Sequence, residues 1–198
     1  MPKIAFFINP TIRHFKKIEI DIQHHFLNQD YQFFISEYSG HFLNLQKRAV
    51  EGGFTHFIAV GGDGTLNEIV NGLIEAFRTE NGYDWERISQ IKIGILPSGS
   101  GNDFIKNLGY TTIDELQSLI AKDSSALVDV GFAEFLNREK QKSERFFINV
   151  SDVGIGGEVV ISKERLPLVF PGDVNYFIAI LSTFLMYKKK TIKVTAKD

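Results

Sequence analysis

The sequence predicts an α/β protein: a doubly wound, mostly parallel sheet, followed by the start of an antiparallel β-sandwich domain. Continuous apolar runs alternate with amphipathic stretches as far as Ala121, and glycine-rich turns follow two of these runs. After that point two strand-like segments are joined by a highly charged connection. Apolar strands separated by helices are typical of parallel sheets covered on both faces. We therefore expect an α/β domain at residues 1–124 and a partial β-sandwich at residues 125–198.

Four strands and four helices are expected in the first domain. The strands are Lys3–Ile8, Tyr31–Ile35, Phe54–Val60 and Ile91–Leu96, and the helices are Ile12–Leu27, His41–Val50, Thr65–Phe77 and Asp103–Leu108. The third helix has the clearest apolar stripe, and Thr65 and Glu68 have the spacing of a capping box at its start. Asn102 is the expected N-cap of the fourth helix, and the polar segment Asn81–Gln90 is expected to be a loop.

The second domain is expected to be incomplete. Two strands, Ala126–Phe135 and Arg145–Val150, are joined by Asn137–Glu144 as a hairpin. A helix is predicted at Asp173–Tyr187 and a further strand at Thr191–Thr195. These strands are too few to close a sandwich.

Composition narrows the functional classes. The chain has 198 residues, a net charge of −2 and no cysteine, so disulfides and thiolate metal sites are excluded, and nothing global indicates nucleic acid as a partner. The amino-terminal segment lacks a signal-peptide pattern. The longest apolar stretch, Val174–Met186, is too short to span a bilayer. His24 and His25 are adjacent rather than four residues apart, which disfavours a zinc site.

The most informative segment is the glycine-rich turn Gly61–Thr65, which lies between an apolar strand and a periodic helix. A strand that ends on glycines and enters a helix leaves backbone N–H groups free at the helix N-terminus, and such a corner favours phosphate. A carboxylate there repels phosphate, so Asp63 needs another task, such as holding magnesium or accepting a proton from a hydroxyl group. This combination indicates phosphoryl transfer.

A second glycine-rich loop, Leu96–Phe104, also follows an apolar strand. Loops at the carboxyl ends of parallel strands can converge on one crevice, the usual ligand site of open α/β sheets. The alternative is that each loop is only a tight connection. Neither loop matches a Walker A or a G-x-G-x-x-G pattern.

Two further loops are expected at the same edge of the sheet. Asn9–Arg13 follows the first strand, and Arg13, Lys16 and Lys17 could offer charge to phosphates; a solvated first helical turn explains them equally well. Ser36–His41 follows the second strand.

Three segments together resemble the diacylglycerol kinase catalytic domain family: the turn Gly61–Thr65, the Leu66–Glu68 segment that follows it, and the loop Leu96–Phe104. This family includes bacterial diacylglycerol kinases, YegS-like lipid kinases and sphingosine kinases. The resemblance extends along the chain to Asn9-Pro10, Ser36–Gly40, Asp129, Phe147–Asn149, Gly154 and Tyr176–Lys190. NAD kinases and phosphofructokinases share the first loop, but the second loop is not typical of them.

The resemblance implies a nucleotide domain and a lipid domain with ATP between them. It implies an ATP- and magnesium-dependent kinase that transfers the γ-phosphoryl group to the hydroxyl of a diacylglycerol-like lipid. Asp63 would be catalytic, by organising magnesium or the acceptor hydroxyl. The nucleotide contacts implied for this chain are Asn9, Pro10, Thr11, Arg13, Ser36, Gly61, Gly62, Asp63, Gly64, Thr65, Leu66, Asn67, Glu68, Ser100, Gly101 and Asn102.

The chain departs from the family pattern in three respects. The first loop usually reads N-P-x-S-G, whereas Ile12 and Arg13 stand here in place of the small residues, so Arg13 is expected to supply a side-chain contact instead. The segment Gly154–Gly157 lacks the aspartate of the family's G-F-D-A pattern. The usual proton acceptor and structural magnesium site are expected beyond Asp198, so the metal ligands stay unknown.

Two alternatives remain open: a kinase of a soluble acceptor such as NAD, and a non-catalytic nucleotide-binding module. The expected partner is a lipid substrate presented at a membrane surface rather than nucleic acid. The expected location is cytoplasmic and peripheral at the inner membrane face, and a homodimer is left open.

Overall fold

The computed structural model describes residues 2–38, 40–98, 102–137, 139–152, 154–165 and 172–187. The strands in this part of the chain are β1 (Lys3–Ile8), β2 (Asp30–Ile35), β3 (His56–Gly61), β4 (Arg78–Thr79), β5 (Gly82–Tyr83), β6 (Lys92–Pro97), β7 (Gly131–Leu136) and β8 (Lys142–Phe147). The helices are α1 (Phe15–His25), α2 (His41–Glu51), α3 (Asp63–Ala76), α4 (Trp85–Ser89), α5 (Ile113–Ala121), α6 (Ile155–Arg165) and α7 (Gly172–Met186), and one 3-10 turn spans Ile105–Asn107.

The four long strands of the first domain form one parallel sheet in the order β2-β1-β3-β6. Crossovers between parallel strands are right-handed. The chain moves one way from β1 to β2 and the other way from β2 to β3, so α1 and α2 lie on opposite faces of the sheet. Consistent with this, α1 packs against α5, and α2 packs against α3. The prediction of a doubly wound, mostly parallel sheet is confirmed.

The two central strands, β1 and β3, are buried. β3 is buried along its whole length, and β1 is buried from Ile4 to Ile8. Aromatic side chains fill the space beside them: Phe7 stacks on Phe34 at 5.2 Å between ring centroids and contacts Phe57 at 5.0 Å. Apart from Lys3 and His56 at their first positions, these two strands carry only apolar residues and glycine, so the polar groups that could meet a ligand lie mainly in the loops after the strands.

A tyrosine hydroxyl pairs with the outer strand β6. The hydroxyl of Tyr110 accepts a hydrogen bond from the Ile95 N–H at 2.9 Å and donates one to the Ile95 carbonyl at 3.0 Å. Burial raises the pKa of Tyr110. The side chain therefore satisfies two backbone groups that no further strand of this sheet reaches.

The predicted hairpin after the α/β sheet is confirmed, since β7 and β8 pair in antiparallel register. β7 begins at Gly131, so the first residues of the predicted strand Ala126–Phe135 precede it. The predicted bounds of the second strand, Arg145–Val150, are wrong, because β8 begins at Lys142, inside the predicted connection Asn137–Glu144, and ends at Phe147. The amide of Asn71, in the middle of α3, holds the hairpin through the backbone of Phe146. The hairpin is thereby fixed to the helix that follows the glycine turn.

The chain divides into two compact units, Met1–Asn149 and Val150–Asp198. Within the second unit α6 packs against α7, and the Thr183 hydroxyl donates to the Ser162 Oγ at 2.9 Å. α7 matches the predicted helix Asp173–Tyr187. No helix in the described segments is both long and apolar enough to cross a membrane. The predicted strand Thr191–Thr195 lies outside the described residues, and the proposed division at residue 124 stays a prediction.

The predicted start of the third helix is wrong. α3 begins at Asp63, and its N-cap, Gly62, has an extended backbone with φ −106° and no side-chain cap. Thr65 is therefore already inside the first turn, and no capping box forms between Thr65 and Glu68. The helix therefore begins two residues before its predicted start at Thr65.

Other expectations for local structure need correction. The segment Asn81–Gln90 is not a plain loop, because it contains β5 and α4, whose N-cap Asp84 accepts from the Arg87 N–H at 3.1 Å. The predicted helix Asp103–Leu108 is only a 3-10 turn, and Asn102 has a left-handed φ of 52° rather than an N-cap conformation. A true capping box occurs at Thr112 and Glu115, at the start of α5, a helix that the sequence analysis did not place.

Candidate functional site

The carboxyl ends of all four parallel strands lie at one edge of the sheet, as parallel pairing requires. The backbone pairing continues one residue beyond two of the strands. The Ser36 N–H donates to the Ile8 carbonyl, and the Ser98 N–H donates to the Gly61 carbonyl, both at 2.9 Å. The loops after β2 and β6 therefore begin directly beside the loops after β1 and β3.

The first turn of α3 offers a set of backbone donors. The first bond of the helix runs from the Leu66 N–H to the Gly62 carbonyl at 3.1 Å. The N–H groups of Asp63, Gly64 and Thr65 precede that bond, so they have no carbonyl partner within the helix. These groups and the positive end of the helix dipole make this corner favourable for an anion.

The glycines of this turn differ in what surrounds them. At Gly61 a Cβ atom would collide with the Thr65 side chain, which folds back over the strand end. At Gly64 a Cβ would meet no atom within 4 Å. Gly61 is therefore required for close packing of strand and helix, whereas the space in front of Gly64 is open to a ligand.

The carboxylate of Asp63 reaches the second glycine-rich loop. Its Oδ2 accepts a hydrogen bond from the Asp103 N–H at 3.0 Å, and its Oδ1 accepts one from the Phe104 N–H at 2.9 Å. The two glycine-rich loops are thus joined directly, which confirms their expected convergence. Nothing in the sequence spacing pointed to these bonds, because they join residues that are 40 and 41 positions apart.

The loop after β1 is a compact turn built on Asn9. Its Oδ1 accepts from the Thr11 N–H at 3.0 Å and from the Thr11 hydroxyl at 2.7 Å. Arg13 is exposed, as are Lys16 and Lys17 at the start of α1. The strand order places this loop beside the Gly61–Gly62 turn.

The loop after β2 carries Ser36, which is buried. Beyond it the imidazole of His41 accepts a hydrogen bond from the Glu37 N–H at 3.1 Å through Nδ1. The exposed ring of Tyr38 stacks on the same imidazole, with 4.3 Å between centroids. His41 therefore shapes this loop locally.

Two polar atoms in this region are buried without a hydrogen-bond partner in the described part of the chain: Asn67 Oδ1 and Ser98 Oγ. Buried polar atoms of this kind normally have a partner. Asn67 lies on α3, two residues after the turn Gly61–Thr65, and Ser98 directly follows β6 in the second glycine-rich loop. They are the orphaned groups expected where a polar ligand or water completes the structure.

The remaining site residues have different environments. Leu66 is buried in the core, while Glu68 is exposed, and its carbonyl accepts a bond from the amide of Gln46 at 3.4 Å. Ser100 and Gly101 lie outside the described residues, and Pro10 is exposed in the loop after β1.

The segment Gly154–Gly157, where the family aspartate is missing, has a carboxylate beside it. The side chain of Asp152 lies over Gly156, in the space that a Cβ at position 156 would need. A side chain at position 156 and the observed position of Asp152 therefore exclude each other.

The described residues contain no group of three or more histidine or acidic side chains able to hold a metal ion. Magnesium in phosphate-transfer sites commonly uses one or two carboxylates, several waters and the phosphates of the substrate. Asp63 is the carboxylate at the N-terminus of α3 that such a mode could use.

The family comparison covers the residues described above. The model of the diacylglycerol kinase catalytic domain matches residues 3–133, which include the whole parallel sheet and both glycine-rich loops. The chain belongs to the diacylglycerol kinase catalytic domain family.

Individual relatives support the same assignment. A diacylglycerol kinase of Staphylococcus carnosus is 32% identical over 133 residues, covering 67% of this chain and 37% of that protein. A Bacillus subtilis protein assigned as the lipid kinase YtlR is 26% identical over 191 residues, covering 92% of this chain and 56% of its own length. The chain thus spans between about a third and little more than half of these relatives.

A solved structure has the same fold. The crystal structure of a protein assigned as a diacylglycerol kinase from Bacillus anthracis superposes with a TM-score of 0.54 and 22% identity. The match covers 94% of this chain and 57% of that one.

Proposed function

We propose that this chain is the nucleotide-binding part of an ATP- and magnesium-dependent lipid kinase. The protein would transfer the γ-phosphoryl group of ATP to the hydroxyl group of a diacylglycerol-like lipid. The observation that carries the proposal is the junction of the two glycine-rich loops at Asp63, beside the open first turn of α3. Family membership supports this reaction class, and the open first turn of α3 supports phosphate binding at this position.

The backbone would do most of the phosphate binding. The N–H groups of Asp63, Gly64 and Thr65 point out of the first turn of α3, and Gly64 leaves room for a phosphate to approach them. Arg13 could add a charge-assisted hydrogen bond from the neighbouring loop. Catalysis of phosphoryl transfer depends chiefly on such positioning and on charge stabilisation.

Magnesium, when bound with ATP, would neutralise charge on the phosphate oxygens. We propose that the carboxylate of Asp63 would hold this magnesium ion. Each oxygen of this carboxylate accepts one backbone hydrogen bond and keeps a second lone pair available. Asn67 and Ser98 would complete their hydrogen bonding with the nucleotide, its metal or bound water.

The acceptor would be a lipid in the membrane. The protein would be cytoplasmic and would bind peripherally to the inner face of that membrane. In the second unit, α7 exposes large apolar side chains, with Phe184 71% and Leu185 76% accessible. Apolar side chains of this kind suit contact with acyl chains. Cosedimentation with phosphatidylglycerol vesicles tests this contact: the protein should pellet with vesicles, and Phe184→Ser with Leu185→Ser should weaken the association.

The experiment for the proposed reaction uses the protein that carries this chain, mixed micelles containing diacylglycerol, and ATP labelled at the γ-phosphate. Label should enter the organic phase after extraction, and Asp63→Ala should abolish the transfer. Label that enters only the aqueous phase with NAD as the acceptor would contradict the lipid kinase and support the soluble-acceptor kinase. Nucleotide binding without transfer to any acceptor would support a non-catalytic module.

A further inference from the structure

The two carboxylate bonds of Asp63 indicate more than a role in the chemical step. A carboxylate at a phosphate-binding corner is unfavourable, because like charges repel at short range. Here that carboxylate accepts bonds from the N–H groups of Asp103 and Phe104, at 3.0 and 2.9 Å. We infer that Asp63 is a positioning residue that holds the second glycine-rich loop against the first, so that both face one ligand. The identity of that ligand as ATP rests on the proposed function.

The second loop is fixed to the first on both sides of residues 99–101. Before them, the Ser98 N–H donates to the Gly61 carbonyl at 2.9 Å. After them, the Asp103 and Phe104 N–H groups donate to Asp63. Among the described residues, the contacts on both sides of this stretch thus reach the same turn: Gly61 before it and Asp63 after it.

The residues after the return point anchor the loop to the protein. Ile105 is buried in the core, and Lys106 pairs with the Asp103 carboxylate at 2.6 Å. The side chain of Phe104 also packs against this core, so breaking the Asp63 bonds would loosen the backbone at Asp103 and Phe104 while the core contacts remained. This predicts a local change rather than unfolding.

Only aspartate meets this geometry. Its two oxygens accept one N–H each, whereas asparagine has one acceptor oxygen and an NH₂ group that would face a second donor. Glutamate would carry the carboxylate one methylene further from α3. The two N–H dipoles also offset part of the negative charge, which lowers its repulsion of a neighbouring phosphate.

Hydrogen exchange at single residues tests the inference without any activity measurement. In the unaltered protein the amides of Asp103 and Phe104 should exchange slowly. In Asp63→Ala both should exchange at least about tenfold faster, the change expected for losing a hydrogen bond to a charged acceptor. Amides in the middle of β3 and β6, such as those of Ile58 and Ile95, should keep their rates, which shows that the variant is folded.

Two variants sharpen the result. Asp103→Ala removes a neighbouring carboxylate but keeps the backbone N–H, so both amides should stay protected. Asp63→Asn should leave one of the two amides protected and expose the other. Unchanged exchange of both amides in folded Asp63→Ala would overturn the inference, as would equal deprotection by Asp103→Ala.

A kinetic measurement separates positioning from chemistry once transfer to a lipid is detected. A positioning role predicts that Asp63→Asn raises the KM for ATP by about tenfold or more, together with any fall in kcat. A fall confined to kcat with an unchanged KM would overturn the inference and leave Asp63 with the chemical step alone. Absence of lipid phosphorylation would reject the proposed function, while the exchange result would still decide the role of Asp63.

Discussion

The side chain of Asn71 holds both backbone groups of Phe146. Its Nδ2 donates to the Phe146 carbonyl at 2.8 Å, and its Oδ1 accepts from the Phe146 N–H at 2.9 Å. The side-chain amide thus makes the same pair of hydrogen bonds with Phe146 that a neighbouring strand would make. Its Nδ2 also donates to the Asn67 carbonyl of the same helix at 2.8 Å. Helix α3 therefore holds two neighbouring segments. Its first residue, Asp63, binds the second glycine-rich loop, and its middle residue Asn71 binds the β7–β8 hairpin.

Asn71→Leu should destabilise the protein by about 1–3 kcal/mol, because similar volume is kept while the N–H and carbonyl of Phe146 lose their partner. Urea denaturation monitored by circular dichroism measures the change. Asn44→Leu is the matched control, because Asn44 is a solvent-exposed residue of α2. This substitution should change the free energy of unfolding by less than about 0.5 kcal/mol. Equal effects of the two substitutions would contradict the assigned role of Asn71.

Two glycines of the same turn should respond oppositely to alanine. Gly61→Ala forces a Cβ into the Thr65 side chain and should cost about 1–3 kcal/mol of stability. Gly64→Ala adds a methyl group in open space within a helix and should stabilise the fold by about 0.5–1 kcal/mol. The same Gly64→Ala change should weaken nucleotide binding, because the methyl group occupies the approach to the helix amides. Calorimetric melting and nucleotide titration of both variants check these opposite signs.

Tyr110→Phe should cost about 1–3 kcal/mol, because the buried N–H and carbonyl of Ile95 lose their shared hydroxyl partner. Thermal unfolding measures this loss, and exchange of the Ile95 amide should become faster. A melting temperature equal to that of the unaltered protein would show that water replaces the hydroxyl at no cost.

The stability of the fold should depend on pH through His56. Burial, and then the nearby charge of Lys92, lower the pKa of this histidine below 6.5, while Asp123 opposes the shift. In the window between the lowered pKa and 6.5 the unfolded chain binds more protons than the folded one. The free energy of unfolding should therefore rise with pH through this window and fall on acidification. Denaturation midpoints at several pH values should show this slope in the unaltered protein and in the exposed-site control His24→Gln, but a weaker slope in His56→Leu.

The sequence was sufficient to predict the parallel sheet and the convergence of the two glycine-rich loops. Continuous apolar runs such as Phe54–Val60 mark strands buried on both faces, and glycine turns at their carboxyl ends must share one edge when the strands are parallel. The contact between Gly61 and Ser98 follows from these two facts once β3 and β6 are neighbours.

The details that depend on long-range contacts could not be predicted from the sequence. The role of Asp63 depends on amides 40 positions away, and that of Tyr110 depends on which strand ends the sheet. The capping-box spacing of Thr65 and Glu68 predicts a later start for α3 than the structure has, because the observed N-cap, Gly62, offers no side chain by which the sequence could mark it. Local sequence patterns predict the helices and strands, whereas the roles of individual side chains depend on residues that are distant in the sequence and close in the fold.

The central claim is that the nucleotide binds at the carboxyl edge of the sheet, between the two glycine-rich loops. Its most direct test is a titration of the ¹⁵N-labelled protein with magnesium and a non-hydrolysable ATP analogue, followed by amide chemical shifts. We predict saturable shifts that are largest for residues 61–68 and 102–104, with smaller ones for residues 9–13. Absence of binding, or shifts confined to the β7–β8 hairpin, would contradict the account.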